Sequence, residues 1–369
     1  MASPASSTLT RPVNFLAKTL RPLVSPQVFD FWARELDSTL SHGRVMARIV
    51  AKRAESSRAV TLELQANRNF QGFTPGQHVN LSVDVEGRRM TRSYSLTGVP
   101  SSDGRLSLTV QKVESGIVST HLFADAQVGD VVELESAFGE MTLPEVLPSK
   151  LLFLAAGSGI TPLMSLTREL AARGMPVETT LIYWARHRAD LCFASELRAL
   201  AAREPNFRFL VALTGEAVTG AWELRGRPSA ELFAAAIPDM AERSVYACGP
   251  SGFVSGIESL AKPVARSFQS EAFTPPVYAP ADSNATVTVM LAKSNRVLTV
   301  KTGEPLLAAL EAQGVKPKYG CRMGICNTCA CPKREGLSRD LKNGGDTAEP
   351  ETNLRICISS AQSDMTLDL

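Results

Sequence analysis

Apolar and polar residues alternate with period two from Arg44 to about Leu143, and then the rhythm changes. Val45 to Ile49, Ala59 to Leu64, His78 to Val83 and Leu106 to Val110 each carry the alternation. Turn residues separate these short segments, which predicts an antiparallel β-barrel. From Lys150 onward, Leu151 to Ala156 is apolar throughout, as a strand buried on both faces requires. Val177 to Tyr183, Phe207 to Leu213 and Val245 to Cys248 repeat the strand pattern, with helical stretches such as Pro162 to Arg173 between them. That alternation predicts an α/β domain with a doubly wound parallel sheet. Thr274 to Asn284, with its prolines and serine, reads as a linker. Thr286 to Ala292 and Arg296 to Thr302 then read as a hairpin, and Pro305 to Gln313 as a helix. Ahead of the barrel, Phe15 to Leu40 reads as helix in pieces, interrupted by Pro22 and Pro26. The expected organisation is multidomain: an N-terminal extension (1–42), a barrel (43–147), a sheet domain (148–273), a linker (274–285) and a C-terminal domain (286–369).

Composition narrows the function classes. A chain of 369 residues, 44% apolar, is long enough for two or three cores. A net charge of +2 without like-charge blocks gives no sign of nucleic-acid binding, and no run of 18 apolar residues suggests a membrane span. The seven cysteines add a sharper signal. Cys321, Cys326, Cys329 and the distant Cys357 follow C-x4-C-x2-C…C, the spacing with which plant-type ferredoxins hold a [2Fe–2S] cluster. A zinc knuckle would pair two short hairpins, whereas here three cysteines crowd one loop. Gly320, Gly324 and Asn327 suit a loop that curls its amides toward sulfur. Cys331, two residues after Cys329, is expected to point away from the metal. The odd remainder, Cys192, Cys248 and Cys331, argues against a disulfide framework and for a reducing compartment. Met1 to Thr10 lacks a secretory pattern, so a cytoplasmic location is expected.

Weaker motifs precede the cysteines. Arg92-Ser93-Tyr94-Ser95 ends a barrel strand. Gly116-Ile117-Val118-Ser119 precedes a helical stretch and can seat an anion, although Ser119 read singly is a plain N-cap. Gly157-Ser158-Gly159-Ile160-Thr161-Pro162 follows a buried strand and opens a helix, and Cys248-Gly249-Pro250 ends a later strand at the same sheet edge. Ligands of such sheets bind at that edge.

Taken in order, these motifs resemble the ferredoxin–NADP reductase superfamily, in its hybrid form with a C-terminal plant-type ferredoxin of β-grasp (α+β) fold. The resemblance covers residues 43–369. It implies FAD on the barrel, NAD(P)H on the sheet and a [2Fe–2S] cluster on the four cysteines. Arg92, Ser93, Tyr94 and Ser95 would hold the flavin, with Gly116, Val118 and Ser119 near its phosphates. Gly157, Gly159, Thr161 and Pro162 would line the nicotinamide side, and Cys248 and Gly249 would face the hydride-transfer position. Ser95 and Cys248 are the expected catalytic residues, and Phe273 is the candidate aromatic cover. Because the carriers do the chemistry, no acid–base set is required, and His42, His78, His121 and His187 look scattered.

Arg186 and Arg188 follow the second sheet strand and favour the 2′-phosphate of NADPH over NADH. For the acceptor, Phe31-Trp32, Gly87 to Ser95 and Cys321 to Cys326 look similar to partners of membrane-bound di-iron acyl-CoA desaturases. The rival is the reductase component of a Rieske aromatic-ring oxygenase or demethylase, or of a soluble di-iron hydroxylase. A redox sensor is the reading from another class.

Overall fold

The computed structural model describes residues 26–273 and 285–369. The expected linker segment Thr274 to Asn284 and the expected helical pieces before Pro26 lie outside them. Helix α1 (Pro26–Leu36) is the first element among the described residues. Pro26 opens this helix rather than interrupting one, because proline's missing N–H costs nothing in the first turn. Asp30 ties α1 to the barrel through His42 N, Ser41 and Arg44, and Asp37 pairs with Arg48.

The period-two segments form the antiparallel barrel domain. Its strands are β1 (Val45–Ser56), β2 (Ala59–Ala66), β3 (His78–Val85), β4 (Arg88–Ser95), β5 (Arg105–Gln111) and β6 (Val131–Leu134), in the order β4-β3-β6-β1-β2-β5. A bridge between Leu96 and Leu108 brings the two ends of the sheet together. Leu62, Leu64, Leu81, Leu96 and Leu108 fill the interior, each fully buried. Helix α2 (Ile117–Ala124) buries Val118 and Leu122 in the same core.

The sheet domain is parallel throughout. Strands β7 (Lys150–Ala156), β8 (Glu178–Ala185), β9 (Phe207–Leu213), β10 (Glu223–Arg225), β11 (Ser244–Gly249) and β12 (Ser267–Ala272) run in the order β10-β9-β8-β7-β11-β12. Chain order reverses between β7 and β11, which puts the ligand crevice outside their carboxyl ends. Helices α3 (Ile160–Ala172), α4 (Ala194–Arg203), α5 (Ala230–Ala236) and α6 (Ser251–Ala261) cover the faces. Each side of the sheet has its own buried cluster, which explains why β7 is apolar at every position but its first.

The C-terminal domain joins the expected hairpin, β13 (Thr286–Leu291) and β14 (Arg296–Lys301), to helix α7 (Leu306–Ala312). Strands β15 (Ala330–Glu335), β16 (Ser338–Asp340), β17 (Asp346–Thr347), β18 (Glu351–Arg355), β19 (Ser359–Ala361) and β20 (Met365–Leu367) complete two small sheets, one ordered β14-β13-β20-β15-β18. This is the mixed α+β arrangement expected. Cys331 on β15 lies in the hydrophobic core, where burial pushes its thiol up to about 12.

One polar network braces the sheet domain. Arg243, only 5% exposed, bonds Asp239 and Glu178, and Lys150 reaches Asp239 and Glu242. The Arg243 guanidinium holds the Asp239 carboxyl down at about 2. A depressed carboxyl stabilises the fold above its unfolded value of about 3.9, and that contribution fades as pH falls toward the folded value. Asp239→Asn should therefore cost about 1.5–3 kcal/mol at pH 7, the worth of hydrogen bonds to a charged group. Urea unfolding of mutant and wild type should differ less at pH 3 than at pH 7; an unchanged difference would contradict the assignment.

Candidate functional site

One cavity of about 340 Å3 lies where the three domains meet. The barrel supplies Arg92, Ser93, Tyr94 and Ser95 from β4, and Gly116, Ile117, Val118 and Ser119 from the start of α2. The sheet domain adds Ser158, Thr161 and Phe273, and the cysteine loop adds Gly320, Cys321, Arg322, Met323 and Ile325. Residues far apart in the chain thus wall a single space.

Strand β4 faces the cavity because β3 pairs with it along its whole length, His78 opposite Ser95 and Leu81 opposite Arg92. Burial pushes the Tyr94 phenol well above its ordinary value, so it stays neutral. The Arg92 side chain donates to the Thr91 carbonyl and lies 6.0 Å from the Tyr319 ring. Gly116, rather than Ser119, is the N-cap of α2, and no side chain caps the helix. Ser119 sits within the first turn, where its hydroxyl donates to Gly116 O and accepts from Val113 N. A Cβ on Gly116 would meet Ser119 Oγ at 2.5 Å, so the turn needs glycine. The free N–H groups at this helix start suit a phosphate.

At the carboxyl end of β7, Gly157 takes a positive φ of 53° and Gly159 packs against the end of β11. A Cβ on Gly159 would lie 2.0 Å from the Cys248 carbonyl oxygen. The loop therefore passes to α3 at a distance only glycine allows, with Thr161 Oγ1 donating to Ser158 O and Pro162 in the first turn. Helix α3 also lacks a side-chain cap. Cys248 is fully buried and its thiol is raised by burial, so this residue turns backbone toward Gly159. Gly249 accepts at its carbonyl from Phe273 N, which holds that ring beside the cavity.

The sequence reading missed a chain of polar contacts here. Ser95 Oγ is 2.9 Å from His78 Nδ1, and His78 Nε2 is 2.6 Å from Glu271 Oε2. The three groups are nearly buried, and Phe273 packs edge-on against His78 at 5.8 Å. Through its two ring nitrogens His78 thus joins the Ser95 hydroxyl to the Glu271 carboxyl group. Glu271 also lines a second cavity of about 420 Å3, together with Gly324, Asn327, Lys342 and Arg355. His78, far from being scattered, links the two spaces. Its alternation within β3 gave no sign of this, because Glu271 lies 193 residues away.

The cysteines group as two pairs. Cys321 N donates to Cys326 Sγ at 3.2 Å, and Met323 N and Cys326 N donate to Cys321 Sγ. A thiol bond from Cys321 pushes the Cys326 thiol down, and Cys357 lowers Cys329 in the same way. Among the described residues no three metal-ligating groups converge on one point. Two pairs fit a binuclear cluster, in which each iron takes two thiolates, better than a single zinc ion. Arg322, Gly324 and Asn327 adopt positive φ (59°, 76° and 54°), which turns amides inward. Gly320 meets the close approach instead, since a Cβ there would lie 2.8 Å from Cys326 Sγ.

The two arginines expected to read the ribose differ. Arg188 is committed to Glu223 and Glu216 and also bonds Ala217 O and Thr219. Arg186 is exposed at the end of β8, which leaves its guanidinium open to solvent.

Comparison with known proteins agrees with this architecture. Residues 47–143 match an oxidoreductase FAD-binding domain, 153–259 an oxidoreductase NAD-binding domain and 289–362 a 2Fe-2S iron-sulfur cluster binding domain. The chain belongs to the ferredoxin-reductase family of NAD(P)H-dependent oxidoreductases that carry FAD and a [2Fe–2S] cluster in that order. An "NADPH oxidoreductase" of Mycobacterium tuberculosis is 33% identical over 96% of this chain and 92% of its own length. A "glycine betaine monooxygenase reductase subunit" of Chromohalobacter salexigens is 28% identical over 80% of this chain and 87% of its own. Phthalate dioxygenase reductase shares the fold, with a TM-score of 0.58 at 22% identity over 89% of this chain and 98% of its own.

Cys357→Ser should abolish the visible absorption of the cluster, whereas Cys331→Ser should keep it. Absorption spectra of the two purified variants decide; loss in both would make Cys331 a ligand.

Proposed function

We propose that this chain draws hydride from NADPH and passes the electrons through its cluster to an oxygen-activating partner, a membrane-bound di-iron acyl-chain desaturase. The observation that carries the electron path is the single cavity walled by β4, the α3 loop and the cysteine loop. FAD, when bound, supplies a carrier that takes two electrons together and releases them singly.

In this reading Arg92 and the α2 start (Gly116, Val118, Ser119) hold the flavin phosphates. Ser93 and Tyr94 bear on the ring, and Ser95 Oγ bonds its reactive nitrogen. Gly157, Gly159, Thr161 and Pro162 admit the nicotinamide, the Cys248–Gly249 backbone forms the floor, and Phe273 covers the ring. The Ser95–His78–Glu271 chain then moves a proton between the flavin cavity and the second cavity. A hydride carries one proton with its two electrons, so one proton per NADPH would have to leave once both electrons have gone on to the cluster, and these three groups would give it an exit. Ser95→Ala should slow reoxidation of the NADPH-reduced flavin by about 10²-fold, within the usual range of a proton-transfer contribution. A stopped-flow rate within twofold of wild type would contradict the role.

Exposed Arg186 supports NADPH, with Arg188 contributing only by positioning its loop. Arg186→Ala should raise KM for NADPH about tenfold and leave KM for NADH nearly unchanged, the worth of about 1.4 kcal/mol. A clear NADH preference of the wild-type enzyme would overturn this part.

The outward side of α1 supports a peripheral meeting with a membrane partner. Phe31 and Trp32 are 61% and 66% exposed, while Ala33 and Asp30 face the barrel. Tryptophan is at home at membrane–water boundaries. No helix among the described residues is long and apolar enough to cross a membrane. The reductase name of the Chromohalobacter relative favours a second reading, electron supply to a soluble oxygenase. Reconstitution with desaturase-containing membranes should yield acyl-chain desaturation; rapid reduction of a Rieske protein with no desaturation would favour the second reading.

A further inference from the structure

Asn80 is 1% exposed, on β3, with both polar atoms of its side chain hydrogen-bonded and one of them reaching across a domain boundary. Its Oδ1 accepts from Ser93 Oγ at 2.6 Å, on the β4 strand that walls the flavin cavity. Its Nδ2 donates to Glu135 Oε2 at 2.6 Å and to Thr328 Oγ1 at 2.9 Å. Thr328 stands 248 residues further on, between the ligands Cys326 and Cys329. The Thr328 hydroxyl stands beside the Cys326 sulfur, both atoms bordering the space that a Cβ on Gly320 would fill. The result is a line across the domain boundary: Ser93 O–H to Asn80, Asn80 N–H to Thr328, with the Thr328 hydroxyl set beside Cys326 Sγ. Gly320 abuts the same junction. A Cβ there would crowd Cys326 Sγ, Thr328 Oγ1 (3.0 Å) and Asn80 Oδ1 (3.4 Å) together.

We propose that Asn80 is a positioning residue for flavin-to-cluster electron transfer, locking the cysteine loop against the flavin strand and strengthening the hydrogen bond that Thr328 gives to Cys326. The chemistry of each group supports this. An amide alone among small side chains offers an acceptor to one strand and two donors to other partners at once. A buried amide with its bonds met specifies one docking geometry, because a displaced loop would leave it unsatisfied. A hydroxyl that accepts a hydrogen bond becomes a better donor, so the Asn80 amide reinforces the Thr328 bond to sulfur. Hydrogen bonds to cluster sulfurs stabilise the added negative charge of the reduced state and so raise its potential. Asn80 is thus one residue through which docking of the ferredoxin module and tuning of its cluster are joined. The inference rests on the flavin-to-cluster path and is independent of which acceptor follows.

The test uses the full-length holoprotein of wild type, Asn80→Leu, Thr328→Val and Thr328→Ser. Three readouts are taken: spectroelectrochemical potential of the cluster, EPR of the reduced cluster, and the single-turnover rate of cluster reduction after flavin reduction. Thr328→Val should shift the flavin–cluster equilibrium about tenfold toward the flavin, which is about 59 mV for one electron. Thr328→Ser should restore the wild-type potential and EPR line shape. Asn80→Leu should shift the potential in the same direction, by less, and slow cluster reduction about tenfold. If Thr328→Val lowers the potential while Asn80→Leu changes neither potential nor rate, Thr328 acts alone and the proposal fails. Unchanged potential and EPR in both also overturn it. Should Asn80→Leu not fold, Asn80→Asp serves, since it keeps the Ser93 bond and loses both donors; wild-type values there would equally refute the role.

Discussion

The Cys321–Ile325 loop closes the same cavity that Arg92–Ser95 opens, and the rest of the structure depends on that meeting. A single-electron carrier is of use to a hydride acceptor only when the two lie close together. Each domain has its own hydrophobic interior, with a cluster on either face of the parallel sheet, and leaves its loops to converge. Polar contacts across the domain boundaries hold the convergence, Ser165 Oγ to Gly98 O and Arg168 to Thr97 O among them. His78 with Glu271 ties barrel to sheet domain, and Asn80 with Thr328 ties barrel to ferredoxin domain. Both anchors sit on β3, so that one strand, packed through Val79, Leu81 and Val83, registers both neighbours. A strand that serves two interfaces has to present polar side chains in its own buried positions. His78 and Asn80 are those residues.

Much of the molecule could be read from the chain because its signals are local. Period-two alternation foretold β1, β2, β3 and β5, and the wholly apolar Leu151 to Ala156 foretold the central strand. Gly324 was expected to let the cysteine loop curl and takes a left-handed turn, whereas Gly159, expected to admit a dinucleotide, is also needed for its close approach to the Cys248 carbonyl. The cysteine spacing was the most specific sign, since a binuclear cluster demands thiolates at fixed intervals along one loop. Short strands such as β10, β16 and β17 carry two or three residues and leave no periodic trace.

What escaped the sequence was everything that depends on distant partners. The Ser95–His78–Glu271 chain and the Asn80–Thr328 bond span 193 and 248 residues, and no local pattern encodes such pairings. Arg188 looked as free as Arg186 until Glu223, buried beside it, took up its guanidinium. Pro26 looked like an interruption, but a proline can also open a helix, and the N-terminal boundary decides which. Cys248 carried a motif, yet its thiol belongs to the core and its backbone to the site. In each case residue type was informative and its surroundings decided the use.

The central claim is that hydride from the nicotinamide becomes single electrons on the cluster within one polypeptide. An anaerobic titration with NADPH, followed by visible and EPR spectra together, tests it most directly. The account predicts flavin bleaching followed, without mediators, by the EPR signal of a reduced [2Fe–2S] cluster in the same sample. Flavin bleaching with a cluster that stays oxidised until a separate chemical reductant is added would contradict it.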